Sequence, residues 1–441
     1  MTRHTTPQVP RQRGTAASPS RGLRLIAPVG LLVAALLALV ACDGGEAELT
    51  REPHSVAAPA EADTAGLWLP MSMSTMRIVD PAWDSLPQQL AGTFLGTATE
   101  GDVVEFTAVD ESGETLWAVE RPTDHAGFAL TLDADGRALA VLTDRADPGD
   151  ASARTTATAY DLTTGAPVWG PVDVPGPHRG PGLVFGPAGS DAGETVALDA
   201  SSGSVGAQHG DAADLSIVGE YAGVLLLSNG ESLTASRSDA PDDGALWTVA
   251  LADHGWDQAL APTAASGTRT TDPGTMGTTA QSGVVTPGLA LVETSSSTRA
   301  LIALDDGTVA ADDVLDTAVD PTTGTRVILG ANGGLHARDA SGQDLWSLTV
   351  APGTTMAALG GVFLYLRDGD AVRVHNVMTG AVAEVYAPDG TGRIVVPAQI
   401  ATTGAAVLPD GERYLLATTT SVPGQSTPPQ TPPAQEDTES P

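Results

Sequence analysis

The sequence predicts an all-β protein, a β-propeller of four-stranded antiparallel blades, and three observations predict it. Short apolar runs are divided by Asp-Gly or Asn-Gly turns through the middle of the chain, as in "GFALTLDADGRALAVLTD", "AGVLLLSNGESLTAS" and "VFLYLRDGDAVRVHN". Such dipeptides between β-rich segments are strong hairpin signals. No long segment of helical periodicity competes with them. Finally, a degenerate motif recurs with an aspartate or its equivalent at positions 110, 161, 199, 237, 305, 339 and 376, most steps being 34 to 51 residues. That period suits one four-stranded blade per copy.

The N-terminus reads as an address. Arg3, Arg11, Arg13, Arg21 and Arg24 surround or precede the apolar run 25–41, which has the length of a signal-peptide core rather than of a comfortable membrane span. Residues 1–41 are therefore expected to be a signal peptide. The run ends in "LVAC", and Cys42 is the single cysteine of the chain, so no intramolecular disulfide forms. "LVAC" resembles the lipobox of bacterial lipoproteins. The resemblance implies cleavage before Cys42, diacylglyceryl and N-acyl (palmitate-type) modification of it, and stable anchoring on the extracytoplasmic face of the cell membrane, since two signals hold where one acyl chain does not. Residues 42–65, rich in Glu, Ala and Pro and without hydrophobic period, are expected to be a flexible acidic tether.

From 66 to 420 the motif sets the expectations. Its best copies carry Ala108, Asp110, Gly113 and Trp117; Ala159, Asp161, Thr164, Gly165 and Trp169; and Ala337, Asp339, Ser341, Gly342 and Trp346. Weaker copies hold Asp199 and Gly203, with Ala207 where tryptophan is expected, and Ala235, Gly244 and Trp247. Two degenerate ones lie around Asp305 and at Asn376 with Gly380. The aspartate opens a turn, where its carboxylate accepts backbone N–H groups. Glycine tolerates the positive φ that the turn demands, alanine suits a tight space between sheets, and tryptophan heads the next strand. Seven copies give seven blades. Three further strands near the C-terminus, completed by an N-terminal strand near "GLWLPMSM", would close the ring and hide its sheet edges. Eight blades are expected, with seven as the alternative.

The pattern AxDxxTGxxxW resembles the repeat of pyrroloquinoline-quinone (PQQ) enzymes and their non-enzymatic propeller relatives. The resemblance implies that Trp117, Trp169, Trp247 and Trp346 dock between neighbouring blades. It also points to the non-enzymatic branch, because the adjacent cysteine pair usual near the quinone is absent and the chain is short for that class. No cofactor is expected, PQQ with calcium being the alternative. The arginine-only, Ala- and Gly-rich usage resembles that of a high-GC, actinobacterial genome.

Two segments stand apart from the blades. The stretch around 256–282, rich in Thr, Gly, Ser and Pro, reads as a loop inserted between blades, and residues 421–441 hold six prolines and read as a disordered, extended tail.

Charge and residue inventory exclude much chemistry. All 21 basic residues are arginine against 54 acidic ones, a formal charge of −33, so nucleic acid and anionic lipid headgroups are disfavoured partners. Without lysine there is no Walker loop, Schiff base or Ser-Lys dyad. The eight histidines, at 4, 54, 125, 178, 209, 254, 336 and 375, include no pair three or four apart, hence no sequence-local metal pair. His125, His178 and His254, with Asp124 and Asp257, are the set that loops of different blades would have to bring to one rim. "DADGR", from Asp133 to Arg137, lacks the later glutamate of a calcium loop and reads as a hairpin turn. No catalytic, cofactor-binding or metal-binding residue is expected. The reading is of a lipid-anchored extracytoplasmic propeller that binds or scaffolds a protein or cell-envelope partner. A quinoprotein oxidoreductase and a glycan or small-ligand sensor at the channel mouth are the alternatives.

Overall fold

The computed structural model describes residues 49–124, 126–145, 154–187, 194–208, 215–261 and 288–421. The expected signal peptide, Cys42, and the expected tail beyond residue 421 lie outside them. The described chain is all-β apart from a four-residue helix at Leu251–His254 and two short 3-10 turns.

The first blade shows how the wheel is built. Gln88–Leu90, Thr93–Glu100, Val103–Asp110 and Thr115–Pro122 form an antiparallel meander, each strand bonded to the next. Side chains alternate between the faces of a strand, and here both faces are covered. Val104, Phe106 and Ala108 pack with Leu130, Ala140, Leu142 and Tyr160 of the next blade. Phe94 and Val109 face the other way, onto Val79, Trp83, Val407 and Leu416 of the sheet that closes the ring. Burial on both faces explains why the blades read as nearly continuous apolar runs rather than clean alternations.

Hydrogen bonding groups the blade strands into seven sheets of three to six strands, alongside one two-stranded ribbon. The wheel is therefore seven-bladed by sheet count, and the expectation of eight separate blades is corrected. The cause is local. The sheet of Leu289–Glu293, Arg299–Ala303, Val309–Val319, Arg326–Gly330, Gly334–Arg338 and Asp344–Thr349 contains two successive repeat units. The eleven-residue strand Val309–Val319 serves both: its first part pairs with Arg299–Ala303 and its second with Arg326–Gly330. Asp313, at φ 54°, marks the irregularity where it changes partner.

The ring closes through both termini of the domain, as expected, but with a different strand. Met76–Trp83 adds to Arg413–Ser421 and Ala406–Asp410. The stretch "GLWLPMSM" instead contributes Leu67–Trp68, paired in parallel with Arg393–Ile394, and a 3-10 turn at Met71–Met73. Met76–Trp83 supplies Ile78, Val79 and Trp83 to the core. "GLWLPMSM" is interrupted by Pro70, and its Met71 is exposed.

The expected tether at 42–65 is described from residue 49, and that part is not free. Thr50 and Glu120 exchange hydrogen bonds, and His54 and Ala118 pair through both backbone groups. Arg51 bonds Asp144, whose other oxygen lies 3.2 Å from buried Arg121. Ala60–Glu61 then pairs with Val79 and Asp80 of the closing sheet. The segment therefore straps the seam between the first and last blades, supplying partners to edges that would otherwise be open. Of the inserted loop expected at 256–282, residues 256–261 are described, with Trp256 and Ala259 buried; the rest lies outside.

Candidate functional site

Because strands reverse at every turn, the turns joining first to second and third to fourth strands of each unit emerge on the same face. A central channel of about 1110 Å³ opens there. Leu90, Leu116, Leu289, Leu301, Leu359 and Ile400 give it an apolar wall, while Gln89, Thr163, Thr317 and Thr402 add neutral polar groups. The charged residues that line it are Asp110, Glu111 and Asp320, all acidic. Its size is that of a small-molecule or peptide-end pocket.

The motif residues surround this channel without being spent on it. Asp110 accepts N–H bonds from Ser112 (2.9 Å) and Glu114 (3.0 Å). Asp161 does the same for Thr163 and Thr164, Asp199 for Ser202, and Asp339 for Ser341 and Gln343. Asn376 substitutes its amide oxygen, taking Met378 and Thr379. In each case the polar head ties down a turn.

Glycine and tryptophan form a lock that runs from unit to unit. Trp117 donates its indole N–H to Leu162 O (2.9 Å), Trp169 to Ala200 O (2.8 Å), Trp247 to Leu304 O (2.8 Å) and Trp346 to Val377 O (2.7 Å). Each acceptor lies in the turn of the following unit, and the glycine of that turn receives the ring. A methyl group on Gly165, Gly203, Gly307 or Gly380 would lie 3.0, 2.5, 2.8 or 2.8 Å from the ring of Trp117, Trp169, Trp247 or Trp346. Across each strand pair an alanine faces the tryptophan: Ala108, Ala159, Ala235 and Ala337. Where the preceding unit lacks the tryptophan the glycine stands open, as at Gly244 and Gly342, with no atom within 4 Å of an added methyl. Gly113 is the exception at the seam, where Thr418 of the closing sheet takes the ring's place.

Two positions differ from the sequence reading. In the degenerate copy around Asp305, the turn residue whose carbonyl accepts Gly307 N–H is Ala303, so the copy is shifted by two residues and carries no aspartate there. In the copy assigned to 237, the position is Arg237, which pairs with Asp239. A further turn of the same kind was missed at "DPTTG": buried Asp320 binds Thr322 N and Thr323 Oγ1, and its carbonyl accepts Gly324 N–H. Its signal was legible, but it joins the first and second strands of its unit, off the expected period.

Behind the channel wall lies a second buried carboxylate, Glu220, which no motif marked. It is fully enclosed, accepts N–H bonds from Gly223 (2.7 Å) and Leu183 (3.3 Å), and sits between Pro181 and Tyr221 of the channel wall. Burial, with the Asp199 carboxylate nearby, pushes its pKa up to about 7. Asp199 is itself buried and accepts Ser238 Oγ at 3.0 Å.

The candidate histidines are not gathered. His178 bonds Gly182 O at 2.7 Å, and burial pushes its pKa down. His254 stacks on Trp256 at 4.7 Å, and His125 lies outside the described residues. Asp133 bonds the N–H groups of Asp135 and Arg137 and the Arg137 guanidinium, as a hairpin turn should. Among the described residues no group of three or more His, Cys, Asp or Glu could hold a metal ion, and no helix is long and apolar enough to cross a membrane.

No protein-family model matches the chain, and no curated protein matches it. Among solved structures it is similar to BamB from Moraxella catarrhalis, at 14% identity and a TM-score of 0.41, covering 78% of this chain and 96% of that one. The C-terminal WD40 domain of Sif2 gives 8% identity and a TM-score of 0.39, covering 84% and 99%. The computationally designed Ika8 protein gives 11% and 0.39, covering 80% and 99%. The chain's own strand pairing, a succession of separate antiparallel sheets of which the last is built from both ends of the domain, makes it a β-propeller.

Proposed function

We propose that this protein is a non-catalytic binding module that receives a protein or cell-envelope partner at the channel-mouth face. One observation carries the reading. The motif tryptophans are consumed by docking between units, and the channel mouth, which turn aspartates such as Asp110 help to line, combines an apolar wall with an exclusively acidic set of charged groups. Such a mouth favours a neutral or basic segment with apolar side chains and repels polyanions. In the full reading Cys42 carries the lipid and the domain works on the extracytoplasmic face of the membrane. Two acyl signals would hold it there, and the seam-strapping segment from residue 49 would leave only a short spacer between anchor and wheel.

Site-specific photo-crosslinkers in native membranes test the face. Placed at Gln89 or Thr402, beside the channel, they should capture a discrete partner; at Asp370, in a turn between second and third strands and hence on the opposite face, they should not. Capture at Asp370 alone would overturn the assignment. Cys42→Ala should move the protein from the membrane to the soluble fraction, and unchanged membrane association would overturn the anchor.

A further inference from the structure

The fused sheet leaves a second cleft, of about 500 Å³, where its two repeat units meet. One wall is the long shared strand at Asp312 and Asp313. The other is the following sheet face with Ile328, Gly330, His336 and Arg338. The shared strand carries no tryptophan, and Gly342, in the turn that a docking ring would cover, stands open. The usual lock is missing where the cleft lies.

Charges in this cleft are arranged unlike those elsewhere. Arginines such as Arg137, Arg373, Arg393 and Arg413 each hold an aspartate. Here carboxylates face basic side chains across a gap that no ion pair spans. Arg338 turns to Asp344 of its own sheet (2.8 Å) and to Ala310 O (2.9 Å). Asp312 takes the Trp256 indole N–H at 3.2 Å. Among the described residues the Asp313 carboxylate and the His336 ring hold no partner.

Arg326 adds a free cation. It lies directly opposite Arg338, which lines the cleft, and by strand alternation on the same sheet face as Ile328, next to the lining rather than in it. Among the described residues it has no hydrogen-bond or ion-pair partner, and its Nε is buried without one. Burial and the Arg338 charge push its pKa down. Like charges directly opposite on neighbouring strands oppose folding; Asp344 takes Arg338 at 2.8 Å, whereas no carboxylate among the described residues takes Arg326. Asp313 is held in the left-handed region at φ 54°, a conformation that costs energy for a non-glycine residue and recurs at ligand sites.

We propose that this cleft binds a small zwitterion of the amino-acid class, with its carboxylate on Arg326 and Arg338 and its ammonium on Asp312 and Asp313. A simple anion would meet the two aspartates and a simple cation the two arginines, so only a ligand carrying both charges satisfies both walls. The volume suits a molecule of that size. The site is separate from the channel and does not depend on what binds there.

Calorimetric titration of the full chain at low salt tests it, using the twenty protein amino acids and glycylglycine, with acetate and methylamine as single-charge controls. At least one zwitterion should bind, at least tenfold more tightly than either control. Arg326→Gln and Asp313→Asn should each weaken it tenfold or more without lowering the melting temperature, because Arg326 gives up no internal bond and asparagine tolerates positive φ. No binding by any zwitterion, equal binding of acetate, or affinity unmoved by both substitutions would overturn the proposal, leaving the channel-mouth reading untouched.

Discussion

Glu220→Gln offers a test of the channel wall whose sign follows from burial. In the folded protein burial pushes the Glu220 carboxyl up to about 7, against an ordinary value of 4.5. Between these values the folded state binds a proton that the unfolded state has released. Its contribution to stability is therefore fully present below pH 4.5 and is lost as pH rises through 7. At about 1.4 kcal/mol per pKa unit, the loss across this window is about 3 kcal/mol. Glutamine cannot ionise, so the variant should lack this part of the pH dependence. Urea unfolding of both proteins at pH 4.5, 6 and 8 isolates the effect, because every other titrating group is common to them. The variant should gain about 3 kcal/mol relative to the parent between pH 4.5 and 8, whatever constant offset the mismatched amide introduces at Leu183 or Gly223. Parallel stability curves would refute the argument, and with it the view that Glu220 is desolvated between Pro181 and Tyr221.

Other perturbations separate the motif's roles. Gly203→Ala and Gly342→Ala both place a side chain at positive φ, but only the first drives a methyl into a tryptophan ring. Thermal melts should show Gly203→Ala clearly the more destabilising, and equal shifts would count against the lock. Trp117→Ala, removing a ring only 2% exposed, should lower stability by about 3 to 5 kcal/mol. Half-buried Trp346 should cost less, roughly 2 kcal/mol, and a normal melting temperature in Trp346→Ala would contradict docking. Arg121→Met should loosen the seam, since it leaves Asp144 ion-paired, among the described residues, with Arg51 alone and removes bonds to Arg51 O and Tyr160; faster proteolysis near residue 50 is the expected readout.

Local chemistry made much of this wheel legible. Asp-Gly and Asp-x-x-x-Gly turns fix where strands end because carboxylate and positive-φ glycine act within a few residues. The spacing from Asp110 to Trp117 and from Asp161 to Trp169 is local for the same reason, being set within one hairpin. The partners of those rings were not legible. That Trp117 lies on Gly165, or Trp247 on Gly307, is a contact across more than forty residues that spacing does not encode.

The sequence by itself determined an all-β repeat wheel, its turn residues and its docking aromatics, because each is governed by short-range backbone geometry. Only the tertiary structure decided what depends on closure. Met76–Trp83 rather than the preceding stretch seals the ring, since it alone brings Ile78, Val79 and Trp83 into the core. Residues 50–61 pair with open edges although their composition suggests a free tether. Val309–Val319 runs unbroken through two repeat units, which sets seven sheets instead of eight and leaves Arg326 facing Arg338 beside an unfilled cleft. Glu220 became an unusual carboxylate only when neighbouring units shut water away from it, because desolvation is a property of packing and not of sequence.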